Sequence, residues 1–406
     1  MPNYRRNHRQ APLVVSLLLL AALLSIVLAA CGGGSDSTSS SAGSSSNDSE
    51  TSQETSVSDS ESTGAAANGV DVAQVEKKLA PALHPPKTVP LLTEALKHLP
   101  TGKTIEYLEC SAIPCKVIGE GLKNAASIIG MKFSTVQAGA TPESFQAAAQ
   151  QAVEDNPDVV MMPAIDPDVV KKQLEEMKAE GIVTALWATR PPAKGLIDVF
   201  LLRPKEYYEA GAAVARYAIL HSNGEANMLY FNQSVWTFAP YYGEGVQKTL
   251  EAECPKCSFS ETDTLPEENG AKLPAKVASE VQANPSVNWV TFAYGAMNLG
   301  VPEALQAAEL SGQVQLISAE AQANNLEYLK SGAEVANDAS DREMEPAFYA
   351  IDGVARVLAG QKLPDYEQLN TFWFISPKEV EELNPAEPYH SIPDFQQQFE
   401  KVWGLN

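Results

Sequence analysis

The chain reads as an α/β protein built of two doubly wound parallel-sheet lobes, and three observations lead there. From residue 105 onward short apolar segments alternate regularly with amphipathic helical ones. Val159-Val160-Met161-Met162 is apolar at every position, as a strand covered on both faces requires. The alternation also runs twice, over roughly 320 residues between Val89 and Asn406, more than one compact core usually holds.

In the first pass strands are expected at Ile105–Glu109, Lys132–Val136, Asp158–Met162 and Val183–Trp187, with helices over Lys116–Ile129, Glu143–Glu154 and Val169–Glu180. Thr141-Pro142-Glu143 gives the second helix an N-cap, a proline in its first turn and an acid against its dipole. Gly181 ends the third. The second pass has strands at Asp198–Leu202, Met228–Phe231, Ser258–Thr262, Trp289–Ala293 and Val314–Ile317. Its helices are Glu206–Leu220, Gly243–Glu253, Leu273–Ala283 and Val301–Leu310. Beyond Ser318 come one more helix, a strand near Glu334–Ala336, a helix over Met344–Ala359, a strand at Phe372–Phe374 and a closing helix over Asp394–Trp403. A local echo links the passes: Gly119-Glu120-Gly121-Leu122 and Gly243-Glu244-Gly245-Val246 follow Tyr107 and Tyr230, each in the middle of a strand, by about the same interval.

The N-terminal end speaks of export. Arg5, Arg6 and Arg9 precede an almost wholly apolar run from Leu13 to Leu28, too short and one-sided for a permanent span. Leu28-Ala29-Ala30 then meets Cys31, a junction that resembles the bacterial lipobox, so residues 1–30 are expected as a lipoprotein signal peptide and Cys31 as the acylated first residue of the mature chain. From Gly32 to about Ala67 nearly everything is Gly, Ser, Thr, Asp, Asn or Glu, a composition expected to stay disordered as a tether. Residues 31–87 thus form tether and lead-in segment.

Charge and cysteines narrow the partners. Residues 1–30 hold three Arg and no acid, so without them the net charge falls from −22 to −25. Such a surface argues against nucleic acid and against docking on anionic headgroups. Cys110, Cys115, Cys254 and Cys257 are an even set in an exported chain. Three pairings are open to them, the local ones Cys110–Cys115 and Cys254–Cys257 being favoured over zinc ligation or a redox role.

The order and spacing of several joints resemble the type I periplasmic binding proteins, the ribose- and galactose-binding class that feeds ABC importers. These are Asn156-Pro157-Asp158-Val159-Val160, Pro163-Ala164-Ile165-Asp166-Pro167-Asp168, Gly181-Ile182-Val183, Asn284-Pro285-Ser286-Val287 and Met344–Gly360. The resemblance covers about Thr88 to Asn406. It implies three hinge crossings, near Phe200–Arg203, Ser318–Ala321 and Lys362–Asn370, hence an N-terminal lobe of 88–201 plus 321–362 and a C-terminal lobe of 202–320 plus 363–406. It further implies a cleft at the carboxyl ends of the strands that closes over a small-molecule solute, and an ABC permease as partner.

Family sugar contacts map onto Glu320 and Asn337, while an Asp-Arg pair is replaced around Leu186-Trp187-Ala188, an Asn-Asp by Tyr294-Gly295 and an arginine by Pro240-Tyr241-Tyr242. The replacements are aromatic. Candidate ligand-binding residues are therefore Trp187, Asn232, Gln233, Trp236, Tyr242, Tyr294, Glu320 and Asn337, with rings to stack and a few polar groups to orient. No metal, cofactor or catalytic residue is implied: no His-x-x-x-His, no Gly-x-Ser-x-Gly and no completed phosphate loop occur. The expected function is a lipid-anchored receptor on the outer face of the cell membrane, delivering a sugar or glycoside to an ABC permease by hinge closure. An aromatic or other non-sugar solute, a sensor for a membrane signalling partner and a secreted hydrolase are the alternatives.

Overall fold

The computed structural model describes residues 67–338, 344–386 and 389–405. The expected signal peptide, Cys31 and the expected tether as far as residue 66 lie outside the described residues.

Two five-stranded sheets organise the chain. The first contains β1 (Thr104–Cys110), β2 (Lys132–Gly139), β3 (Val159–Pro163), β4 (Val183–Trp187) and β5 (Val199–Leu201), in the order β2-β1-β3-β4-β5. The second contains β6 (Asn227–Asn232), β7 (Ser258–Asp263), β8 (Trp289–Phe292), β9 (Gln315–Ala319) and β10 (Ala336–Asp338), in the order β7-β6-β8-β9-β10. Every pairing is parallel, and both sheets follow one 2-1-3-4-5 scheme. The central strands β3, β4 and β8 are buried throughout; β3 is wholly apolar, and β4 and β8 each add one buried threonine, Thr184 and Thr291.

The first lobe is covered by α2 (Ile113–Ile128), α3 (Pro142–Asp155), α4 (Lys171–Glu180) and α10 (Met344–Leu358). The second has α5 (Pro204–His221), α6 (Ala239–Glu253), α7 (Leu273–Ala283), α8 (Val301–Ala307) and α9 (Ala323–Ser331). Caps form where the sequence places them: Thr141 Oγ1 accepts from Ser144 N at 3.2 Å, and Gly181 ends α4 at φ 78°.

The glycine echo has a physical cause. Tyr107 OH donates to Cys115 O in the first turn of α2 (2.6 Å), and Tyr230 OH to Ala239 O in the first turn of α6 (2.8 Å). Four residues further along each helix, a Cβ on Gly119 or Gly243 would overlap that same tyrosine ring. Each lobe thus locks the helix that follows its first sheet strand in the chain, α2 after β1 and α6 after β6, onto that strand in the same way.

Three segments differ from expectation. Residues 321–338 were expected in the first lobe, but β10 pairs with β9 and completes the second sheet, so the chain crosses back after Asp338 instead of near Ser318–Ala321. The strand expected near Glu334–Ala336 lies at Ala336–Asp338, and its Ala-Asn-Asp sequence carries no signal for which sheet it joins. Phe372–Phe374 forms no strand; its extended backbone is held singly, Phe374 N donating to Ala82 O (2.8 Å) and Ile375 N to Asn337 O (3.3 Å). The chain's last helix, α12 (Phe395–Val402), was expected with the second lobe but packs on α10 of the first, where Phe348 meets Phe395, Phe399 and Trp403. Beneath that cluster Asp352 and Arg356, both fully buried, pair at 2.6 Å, and Trp403 Nε1 donates to Asp352 Oδ1 (3.0 Å).

The lead-in segment is described from Ala67. Helix α1 (Val72–Leu79) packs on α5, burying Val75 and Leu79, and Lys78 joins the Arg216–Glu253 pair. Asn68 Nδ2 donates to Asn223 O at 2.9 Å. The chain then passes to the first lobe, where Val89 N donates to Gln398 Oε1 and Tyr349 OH to Pro90 O. Among the described residues no helix is long and apolar enough to cross a membrane.

Candidate ligand-binding site

A cleft lies between the lobes at the carboxyl ends of the strands. This slot has a volume of about 490 Å³, part of it open to solvent. From the first lobe come Cys110 at the end of β1, Ala112, Pro114, Cys115 and Ile118 at the start of α2, Pro163 and Ala164 after β3, and Trp187 and Ala188 after β4. Opposite stand Leu202 and Tyr207 beside the hinge, Trp236 and Phe238 beyond β6, Tyr294 beyond β8 and Glu320 beyond β9. The walls therefore flank the switch points β1/β3 and β6/β8, where such sheets bind ligands.

Backbone strain concentrates here. Ala164, Ala188, Leu202 and Glu320 each directly follow a strand and adopt positive φ (54°, 55°, 41° and 59°). For non-glycine residues this costs about 1–2 kcal/mol apiece, which a fold retains where position matters. Two of these turns are stitched together: Ala164 N donates to Trp187 O at 2.9 Å and Ala188 N to Leu202 O at 3.2 Å.

Aromatic packing sets the walls. Trp187 is 1% exposed and lies parallel to Tyr107 at 6.3 Å, its plane fixed by the strand beneath. Phe238 meets Tyr207 at 4.6 Å and Tyr294 edge-on at 6.3 Å. Tyr294 OH donates to Gln233 Oε1 (2.6 Å) and accepts from Asn269 Nδ2 (3.0 Å), and burial holds its pKa well above the ordinary tyrosine value. The lobes touch beside the cleft where Thr189 and Thr237 share a hydroxyl bond of 2.6 Å.

Glu320 N donates to Asp338 O at 3.2 Å, and a polar cluster lies behind this turn. A Cβ on Gly295 would overlap the Glu320 carbonyl oxygen and Asn325 Oδ1, so the turns carrying Tyr294 and Glu320 meet only because residue 295 is glycine. Asn325 Oδ1 also accepts from Gln322 N at 3.0 Å. Below, Glu334 is 1% exposed and accepts from Ser318 Oγ, Asn337 Nδ2, Asn325 Nδ2 and Asn298 Nδ2 at 2.5–3.0 Å. Burial outweighs those four donors and pushes its pKa up to about 7.

Of the residues expected to bind, Trp187, Trp236, Tyr294 and Glu320 come together in the cleft wall. Asn232, Gln233, Tyr242 and Asn337 are not among the lining side chains. Asn232 donates to Glu261 on the neighbouring edge strand, Gln233 supports Tyr294 from behind, Tyr242 bonds Thr291 inside the second lobe, and Asn337 is committed to Ser318 and Glu334. Sequence reading missed Tyr207, near the start of α5, and the side of the slot that runs from Cys110 at the end of β1 to Cys115 in the first turn of α2. It also missed Arg190, three residues beyond Trp187. That guanidinium is not part of the wall; it is paired with Asp166 (Nε–Oδ1 2.8 Å, Nη2–Oδ2 2.9 Å) and Asp168 (2.7 Å). The four cysteines close locally, Cys110 with Cys115 and Cys254 with Cys257, at Cα separations of 5.6 and 5.3 Å.

Two lobes of one parallel topology with an apolar slot at the strand ends define a solute-binding receptor fold. Residues 115–362 match the family model described as periplasmic binding protein domain, and the chain belongs to that family, one of binding receptors and not of enzymes. Similar solved structures include a 5-methylthioribose transporter solute-binding protein from Thermotoga lettingae (14% identity, TM-score 0.63, 76% of this chain and 100% of that one). Others are an Agrobacterium vitis ABC transporter solute-binding protein with bound allitol (17%, TM-score 0.60, 70% and 98%) and a sugar-binding protein of a Bacillus halodurans ABC transporter (18%, TM-score 0.57, 70% and 100%). No curated protein sequence matches the chain.

Proposed function

We propose that the chain is a lipid-anchored receptor, acylated at Cys31 and held on the outer face of the cell membrane, that captures a small solute between its lobes and presents it to an ABC permease. The observation carrying this reading is the position of the slot: both walls consist of strand-end turns of different lobes, so a ligand touching both favours the closed arrangement. Trp187 belongs to one wall and Trp236 to the other, which makes them the ligand contacts with most to gain from closure. The sugar or glycoside expectation follows the family; the apolar walls favour the alternative of an aromatic or other non-sugar solute.

Two measurements test it. Mass spectrometry of the mature N-terminal peptide from the membrane fraction should find a diacylglyceryl thioether on Cys31, and an unmodified Cys31 removes the anchor. Solution scattering across candidate solutes should show contraction with the one that binds. An unchanged profile with a solute that demonstrably binds removes hinge closure.

A further inference from the structure

Trp187 presents a buried polar group with nothing to bind. Its indole Nε1 has less than 1 Å² of exposure and no hydrogen-bond partner, although the residue forms part of the slot wall. A buried N–H without an acceptor is costly, and folded chains retain few of them. Across the slot, Trp236 Nε1 also lacks a partner of good geometry, with the Tyr294 hydroxyl close by. The other polar atoms of the wall are already engaged: Tyr294 OH with Gln233 and Asn269, Ala164 N and Ala188 N with the neighbouring turns. Among the described lining residues everything else is apolar save Tyr207 and Glu320.

We infer that the cleft takes a flat, mostly apolar solute carrying a hydrogen-bond acceptor, such as a carbonyl, that receives the Trp187 indole N–H, and that Trp187 is the specificity-determining residue for that acceptor. The inference rests on the cleft being the ligand site, as proposed above. The ring faces of Trp187 on one wall and of Trp236, Phe238 and Tyr294 on the other suit a planar body. A polyhydroxylated sugar is disfavoured by the same surface. Each hydroxyl buried without a partner lowers affinity by about ten- to hundred-fold, and the slot offers few uncommitted partners.

The test uses the full mature chain and four probes: methyl benzoate, toluene as the same body without the acceptor, D-ribose and D-glucose. Binding is followed by calorimetry and by quenching of tryptophan fluorescence. Methyl benzoate is expected to bind at least tenfold more tightly than toluene or either sugar. Trp187→Phe should remove that tenfold advantage and leave toluene unchanged. If Trp187→Phe melts early, the wild-type comparison of methyl benzoate with toluene decides alone. Tighter binding of either sugar than of methyl benzoate overturns the ligand class and leaves the receptor reading standing. Equal affinity for methyl benzoate and toluene, or an unaltered affinity in Trp187→Phe, overturns the role of Trp187. If none of the four binds and native mass spectrometry finds no compound carried by the chain from its host, the receptor reading falls with it.

Discussion

Replacing Glu334 by Gln should change the response of the fold to pH more than its stability at any one pH. Glu334 is fully buried behind the turn that carries Glu320, and its pKa stands at about 7 against an ordinary 4.5 because burial outweighs four hydrogen-bond donors. The folded chain therefore holds this proton more tightly than the unfolded one. The stabilisation is fully present below about pH 4.5 and is lost as pH rises through 7. At 1.36 kcal/mol per pH unit of displacement, the loss over that window is about 3 kcal/mol. A glutamine cannot titrate, so the stability difference between Glu334→Gln and the wild type should shift by about 3 kcal/mol between pH 4.5 and 8, the wild type gaining on acidification. Urea unfolding followed by circular dichroism at four pH values reads this directly. Parallel stability curves would refute the assignment of a raised pKa to Glu334, whatever the offset between them.

Gly295→Ala forces a methyl group into the Glu320 carbonyl and Asn325 Oδ1, so the turns of Tyr294 and Glu320 must part; ligand affinity should fall at least tenfold, along with a lowered melting temperature, and unchanged binding would show that those turns do not shape the site. Arg356→Ala leaves Asp352 buried without its cation and Glu94 O without a donor, which should cost about 3–5 kcal/mol, measured as a drop in the melting temperature; a double replacement of Asp352 and Arg356 by apolar residues should recover much of it.

How far the sequence carried these conclusions varies by element. Helices with caps and long buried strands were plain because local chemistry and periodicity agree there: Thr141 and Gly181 bound their helices, and Val159–Met162 has no polar face to turn outward. The sheet to which β10 belongs was not, because its membership is decided by pairing with β9 and by no pattern of its own. Trp187, Trp236, Tyr294 and Glu320 were legible in the candidate site because residues just beyond parallel strands must gather at one edge. Asn232 and Asn337 occupy comparable positions, yet their amides turn sideways to neighbours on the sheet, and spacing alone does not reveal that direction. The Tyr–Gly locks were visible as an echo but acquired meaning only once each ring was seen filling the space its glycine leaves.

If the chain is anchored at Cys31 as proposed, the docking of α1 on the second lobe decides which half of the molecule is held fast. A pull on the chain at Ala67 is taken up by the Asn68, Lys78 and α5 contacts of the second lobe before it can reach the first. Only six residues separate Ala82, bonded to Phe374, from Val89, bonded to Gln398, a leash of at most about 25 Å. Under the anchoring at Cys31 and the hinge closure proposed above, the second lobe is the pedestal and the first, with Trp187 on its edge, is the jaw whose travel that leash limits.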